Sequence, residues 1–197
     1  MPGSEEILIQ WLSKISADGA PVLSVAHLHA HEGHGYETGC IFSGVADGAQ
    51  VSMILIPAPD SDRMAHFIYA AATGGLAVMH FFESPTVVVS GTPLGVHNLQ
   101  RRSTNESQWL AFSNPTISDV GEMLKCHLSP GSTGANPAAG KMGDRVRHDT
   151  ERVLDFDSPY LIVIQNWAGA TIPIEVHADW YETDLYSLVG PPPPLLP

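Results

Sequence analysis

Residues 171–182 read "TIPIEVHADWYE", and apolar and polar side chains alternate along them. A period of two marks an extended strand with one face turned to a core. The alternation puts Trp180 and Glu182 on one face and Tyr181 on the other. One aromatic ring, Trp180, is therefore expected in the core. The other, Tyr181, is expected at a surface between subunits, where aromatic side chains are enriched.

The same pattern extends upstream. "YLIVIQNWA", "EMLKCHL", "TVVVSGT", "LAVMHFFE", "MAHFIYAAA", "QVSMILIPA" and "GCIFSGV" are short apolar or alternating runs, and so is "VLSVAHLHAH" at residues 22–31. Turn-forming clusters separate them: "ADGA", "APDSD", "TGG" and "DSP". Strands of this length and spacing predict an all-β protein, an antiparallel β-sandwich of jelly-roll type. No long helical pattern lies between them, which argues against parallel βαβ winding. The Gly/Pro/Ser/Ala-rich segment 129–144 reads as a long loop on the sandwich.

The two ends differ from this body. "SEEILIQWLSKIS" (4–16) reads as a short helix that Ser4 can cap, and Glu5 and Glu6 suit the positive end of its dipole. Leu8, Trp11, Leu12 and Ile15 form one apolar stripe. That stripe either packs on its own domain or grips a neighbouring subunit. The last residues, "GPPPPLLP", read as extended polyproline-like chain, either a disordered tail or a strap laid on a partner. The expected organisation is a helical arm over 1–20, a sandwich over 21–183 and a Pro-rich tail over 184–197.

Composition narrows the function. A chain of 197 residues with 44% hydrophobic residues can bury a full core. Its formal charge is −12 with only nine Lys and Arg, so neither nucleic acid nor an anionic membrane is an expected partner. No membrane span or signal peptide is expected. Cys40 and Cys126 have no metal or redox spacing and read as reduced core cysteines.

Four of the ten histidines fall in "AHLHAHEGHGYE" (26–37). Read as a strand, His27, His29 and His31 share a face. An H-x-H pair can chelate one metal ion, but three such residues span about 13 Å and cannot all reach it. A cupin-like enzyme centre would need His27 and His29 followed by Glu, then Pro93, Gly95 and a later His. Glu32 comes after only two residues, and His97 is one residue short. A one-residue slip turns a strand side chain to the opposite face. The histidine row is therefore expected to line a strand face, in the sandwich or at a subunit contact, without a metal. "GANPAAGKM" fails as a phosphate loop, because its glycine gap is too long and Met142 stands where Ser or Thr must be. No catalytic residues and no cofactor are expected.

The second half of the chain resembles a family of tailed-phage virion proteins. The resemblance is carried by "VVVSGTPLGVHNLQRRST", "ERVLDFDSPYLIVIQNWAG" and "HADWYE". Asn98, Arg101 and Ser103 fit the family's Asn–Arg turn, with Gln100 replacing its second Asn. Glu151 and Leu154 fit its E-x-x-L segment, Tyr160, Leu161 and Asn166 its Tyr-Leu strand, and Trp180, Tyr181 and Glu182 its closing motif. The resemblance covers roughly residues 38–182. It implies a non-enzymatic capsid decoration (cement) protein on the outer surface of the virion. The implied partners are the major capsid protein and itself, as a homotrimer. A tail or head-fibre β protein is the nearest alternative, and a cupin-like metal-dependent enzyme the more distant one. The Asn98–Arg101 turn is expected to pin the loop after "TVVVSGT", with a capsid contact as its alternative role.

Overall fold

A computed structural model describes residues 25–129, 141–142 and 151–184. The expected helix over 4–16, with Leu8, Trp11, Leu12 and Ile15, lies outside these residues, as do the tail beyond Asp184 and most of segment 129–144. Of the described residues, 62% are in strands. The strands are β1 (Gly35–Val45), β2 (Gln50–Pro57), β3 (Arg63–Thr73), β4 (Ala77–Glu83), β5 (Thr86–Val89), β6 (Thr92–Pro93) and β7 (His97–Asn98). They continue as β8 (Trp109–Ser113), β9 (Thr116–Asp119), β10 (Glu122–Ser129), β11 (Lys141–Met142), β12 (Arg152–Leu154), β13 (Tyr160–Asn166) and β14 (Ile172–Asp184).

Two six-stranded sheets form the body. Sheet A runs β11-β3-β14-β1-β7, with β12 also paired to β3, and sheet B runs β10-β4-β13-β2-β8-β6. All pairings are antiparallel. β1 pairs with β14, β2 with β13, β3 with β12 and β4 with β10. This nesting of first strand with last, second with next-to-last and so inward is the winding of a jelly roll.

The sheets meet through the inward residues of each strand. Ile174, Val176, Ala178 and Trp180 of β14 face Met53, Leu55, Phe81, Ile162 and Ile164 in one buried cluster. Phe81 stacks on Phe67, Tyr69 and Tyr160 at centroid distances of 5.9, 4.9 and 5.9 Å. Sheet B is apolar on both faces. Met53, Ile54 and Leu55 are consecutive and all fully buried, so "MILI" is a run rather than an alternation.

A two-stranded ribbon, β5 with β9, bridges the two edges of sheet B. It leaves β4, reaches β6 beside β8, and returns from β8 to β10. Gly91 (φ +96°) and Gly121 (φ +77°) stand at its ends, where a Cβ would collide with the backbone of Ser113 and of Glu83. Both positions need glycine for conformation and for space.

One expected strand is a helix. Val25–Glu32, inside "VLSVAHLHAH", forms α1. Ala26, Leu28, Ala30 and Glu32 are good helix formers. Gly33 (φ +80°) closes the helix, with His34 N donating to His29 O (2.9 Å) and Gly33 N to Ala30 O (3.2 Å). This paired pattern is a Schellman cap. The histidines recur every second residue by composition, while the backbone follows the cap.

Candidate functional site

The outer face of sheet A carries two clusters of imidazole and carboxylate groups. α1 lies on it, against β1 and β14. Its docking is built around Gly33, whose carbonyl accepts from Asn98 Nδ2 (2.9 Å) and Asn105 Nδ2 (3.2 Å). Ser103 packs so closely on Gly33 that a Cβ there would strike its side chain. Asn98 Nδ2 also donates to Asn105 O (3.0 Å), and its Oδ1 accepts from Gln100 N (2.8 Å). Asn98 and Ser103 thus tie the expected turn to the end of α1. Arg101 is exposed and makes no hydrogen bond or ion pair among the described residues. The pinning role expected of the turn falls to Asn98, and the guanidinium has no part in it.

Under α1 lies Tyr181. Its ring is stacked between His29 (4.8 Å, 11°) and His66 (4.4 Å, 10°). Its hydroxyl donates to Glu151 Oε1 (2.8 Å), which also meets His66 Nδ1 at 2.8 Å. Tyr181 is only 7% exposed and Trp180 2%. The expectation of one core ring and one intersubunit ring is corrected: the two rings do face opposite ways, but α1 buries Tyr181 within its own chain. Burial pushes the His29 imidazole below its ordinary pKa; Glu32 opposes this, while His34 and His66 add to it.

The closing motif has a structural reason. Glu182 is buried and its Oε1 accepts from Ser107 Oγ (2.6 Å), Gln108 N (3.0 Å) and Trp180 Nε1 (3.2 Å). Burial raises the pKa of this carboxyl, and these donors, with Arg63, hold it back. Glu182 therefore anchors the segment that leads into β8.

The histidines of α1 do not form a row. His27 and His31 are four residues apart on one helical face, with Nε2 atoms 2.9 Å apart, and both are exposed. His29 points the other way, onto Tyr181. The expected strand face is thus replaced by two helical faces. The residues weighed for a cupin-like centre do not enter the sandwich. His27, His29 and Glu32 sit on α1, while Pro93, Gly95 and His97 are exposed on and between β6 and β7. The interior is occupied by the apolar cluster described above. Cys126 is exposed, which corrects its expected place in the core, and Cys40 is half-buried with its thiol pKa pushed up to about 11 by burial.

Further along the same face, β14 brings His177 and Asp179 to one side, and Glu37 of β1 pairs directly with Asp179. Their donor atoms all lie within 4.8 Å of one another, and each residue is half-buried. His177 Nε2 and Asp179 Oδ1 are 3.0 Å apart. "HAD" inside the alternating run was the available signal for two of these residues; only the strand register adds Glu37.

A groove of about 330 Å³ runs beside β8, lined by Leu94, Val96, Asn98, Phe112 and others, with Glu106 its one carboxylate. No family model matches the chain, and no curated protein matches it.

Proposed function

We propose that this chain is a non-enzymatic structural protein of a phage virion: a capsid decoration protein that binds the major capsid protein on the outer surface of the head, as a homotrimer. The observation that carries this reading is a set of large aliphatic side chains left in water on the ribbon, on β10 and between them. Val88 and Val89 of the ribbon, Val120, and Met123 and Leu128 of β10 are 44–62% exposed. Among the described residues β10 is an edge of sheet B, with β4 as its only hydrogen-bonded strand partner. An edge strand bearing apolar groups is a surface for protein contact. The segments that resemble phage virion proteins supply part of the ribbon, the Asn98 turn, β12, β13 and the end of β14. The acidic balance suits a place outside the shell, away from packaged DNA.

The test is assembly. The purified chain is expected to have a trimer's mass by light scattering and to co-sediment saturably with phage heads stripped of decoration. Met123→Asp with Leu128→Asp is expected to lose assembly while keeping the β spectrum. A chain that stays monomeric and leaves heads bare overturns the reading. Binding confined to tails on imaged particles moves the address to the tail.

A further inference from the structure

We propose that Glu37, His177 and Asp179 form a binding site for a first-row divalent transition-metal ion, with Zn²⁺ the best fit. The site does not depend on the virion reading.

Register holds the three residues. His177 and Asp179 are two apart on β14 and so point the same way. Glu37 is opposite Asp179 on β1, and directly paired side chains also share a face. No loop has to order itself to assemble the set.

The spacing suits an ion. Ligand bonds of about 2.0–2.2 Å at near-tetrahedral or right angles place two donor atoms about 3.0–3.5 Å apart. His177 Nε2 and Asp179 Oδ1 are at 3.0 Å, and Glu37 lies within 4.8 Å of both. Gly39 is the strand partner of His177, and a Cβ there would come within 3.3 Å of the imidazole Nδ1. The missing side chain leaves the ring room to turn.

The charge is unbalanced without a cation. Two carboxylates approach one another, and neither makes an ion pair with Lys or Arg among the described residues. The Glu37 carboxylate makes no hydrogen bond among the described residues, and both residues are half-buried, which makes unpaired charge costlier than in open water. Among the described residues, His177 is the only side chain that pairs with either. One imidazole with two carboxylates selects against Ca²⁺ and Mg²⁺, which take all-oxygen sets of six or more. It suits Zn²⁺ and its neighbours. Three protein ligands leave a position open toward solvent, and His97, paired with Glu37 from β7, stands on the same face.

The experiment uses the full chain, stripped with EDTA, in a His27→Ala/His31→Ala background. That substitution removes the other imidazole pair able to hold metal on α1. Calorimetric titration with Zn²⁺ is expected to show one equivalent bound, and Co²⁺ is expected to give a visible ligand-field band. An outer partner of a ligand is worth about 10–100-fold in affinity, so loss of a ligand itself, in His177→Ala, is expected to cost at least about 100-fold. Glu37→Gln and Asp179→Asn keep shape and each should weaken binding by about tenfold or more. They keep the test decisive if His177→Ala fails to fold. Millimolar Ca²⁺ or Mg²⁺ should not displace Zn²⁺. Absence of Zn²⁺ binding in the background protein, or binding unchanged by Glu37→Gln and Asp179→Asn, overturns the proposal.

Discussion

Two clusters of imidazole and carboxylate share the outer face of sheet A, and they differ in what covers them. At one end, α1 closes over Tyr181, with His29 and His66 stacked on its two sides and Glu151 accepting from its hydroxyl. Glu151 Oε1 is shared by two partners, and the ring it holds is 7% exposed. Next along the same face, His177 and Asp179 of β14 and Glu37 of β1 carry the same chemical groups and are only half-buried. There the carboxylate of Glu37 has no partner among the described residues. Residue type therefore does not separate a structural cluster from a ligand site. Unspent hydrogen-bonding and charge capacity does, because buried networks are stable only when satisfied.

The largest effect should come from breaking the covered cluster. Tyr181→Ala removes a buried ring clasped on both faces and is expected to cost about 3–5 kcal/mol in denaturant unfolding. Trp180→Ala, on the opposite face of β14, should cost a similar amount, since both rings are buried. A loss below about 1 kcal/mol for Tyr181→Ala would show that α1 does not stabilise the sheet.

Next comes the pin that holds α1 in place. Asn98→Ala deletes two donated bonds and one accepted bond, each worth about 1 kcal/mol net, so a loss of about 2–3 kcal/mol is expected. Arg101→Ala should stay within about 0.5 kcal/mol of the parent, as surface changes do. If Arg101→Ala keeps stability and abolishes binding to heads, the turn doubles as the capsid contact. Equal losses for the two variants would contradict the division of roles inside the turn.

Acid should loosen the covered end. His29 has its pKa depressed by burial, so the folded form binds fewer protons than the unfolded chain. Its stabilising contribution is complete above the ordinary value of 6.5 and is lost as pH falls through the lower folded value. Glu32, His34, His66 and Glu151 are the titratable groups that face this cluster. Glu182 acts with the opposite sign. Its raised pKa contributes stability below the ordinary 4.5, which is lost as pH rises through the folded value. The His29 slope is therefore read as the difference between the parent and His29→Gln in unfolding midpoints from neutral pH downward. Parallel curves would show that His29 is not the group that titrates.

The smallest effect belongs to the open cluster. In metal-free buffer His177→Ala should change stability by no more than about 0.5 kcal/mol. A loss as large as that of Tyr181→Ala would make the open cluster structural too, and the contrast between the two ends would disappear.

Much of the scaffold was legible because strand periodicity is local. "TIPIEVHADWYE" became the core of β14 with Trp180 and Glu182 facing inward, and the all-β class followed from many such runs. Asn98 was legible as a turn residue because its side chain bonds the backbone two residues on. The reading failed where a local pattern had two meanings. Histidines at every second position of 27–31 imitate a strand, yet Gly33 was the C-cap signal of a helix. Residue chemistry, face alternation and turn positions are properties of about ten residues, and the sequence alone determined them. That Tyr181 lies under α1, that Gly33 receives Asn98 from a distant turn, and that Glu37 meets His177 and Asp179 were decided only by the tertiary structure. The reason is register: pairing β1 with β14 joins segments about 140 residues apart, and the alignment is set by burying whole sheet faces at once.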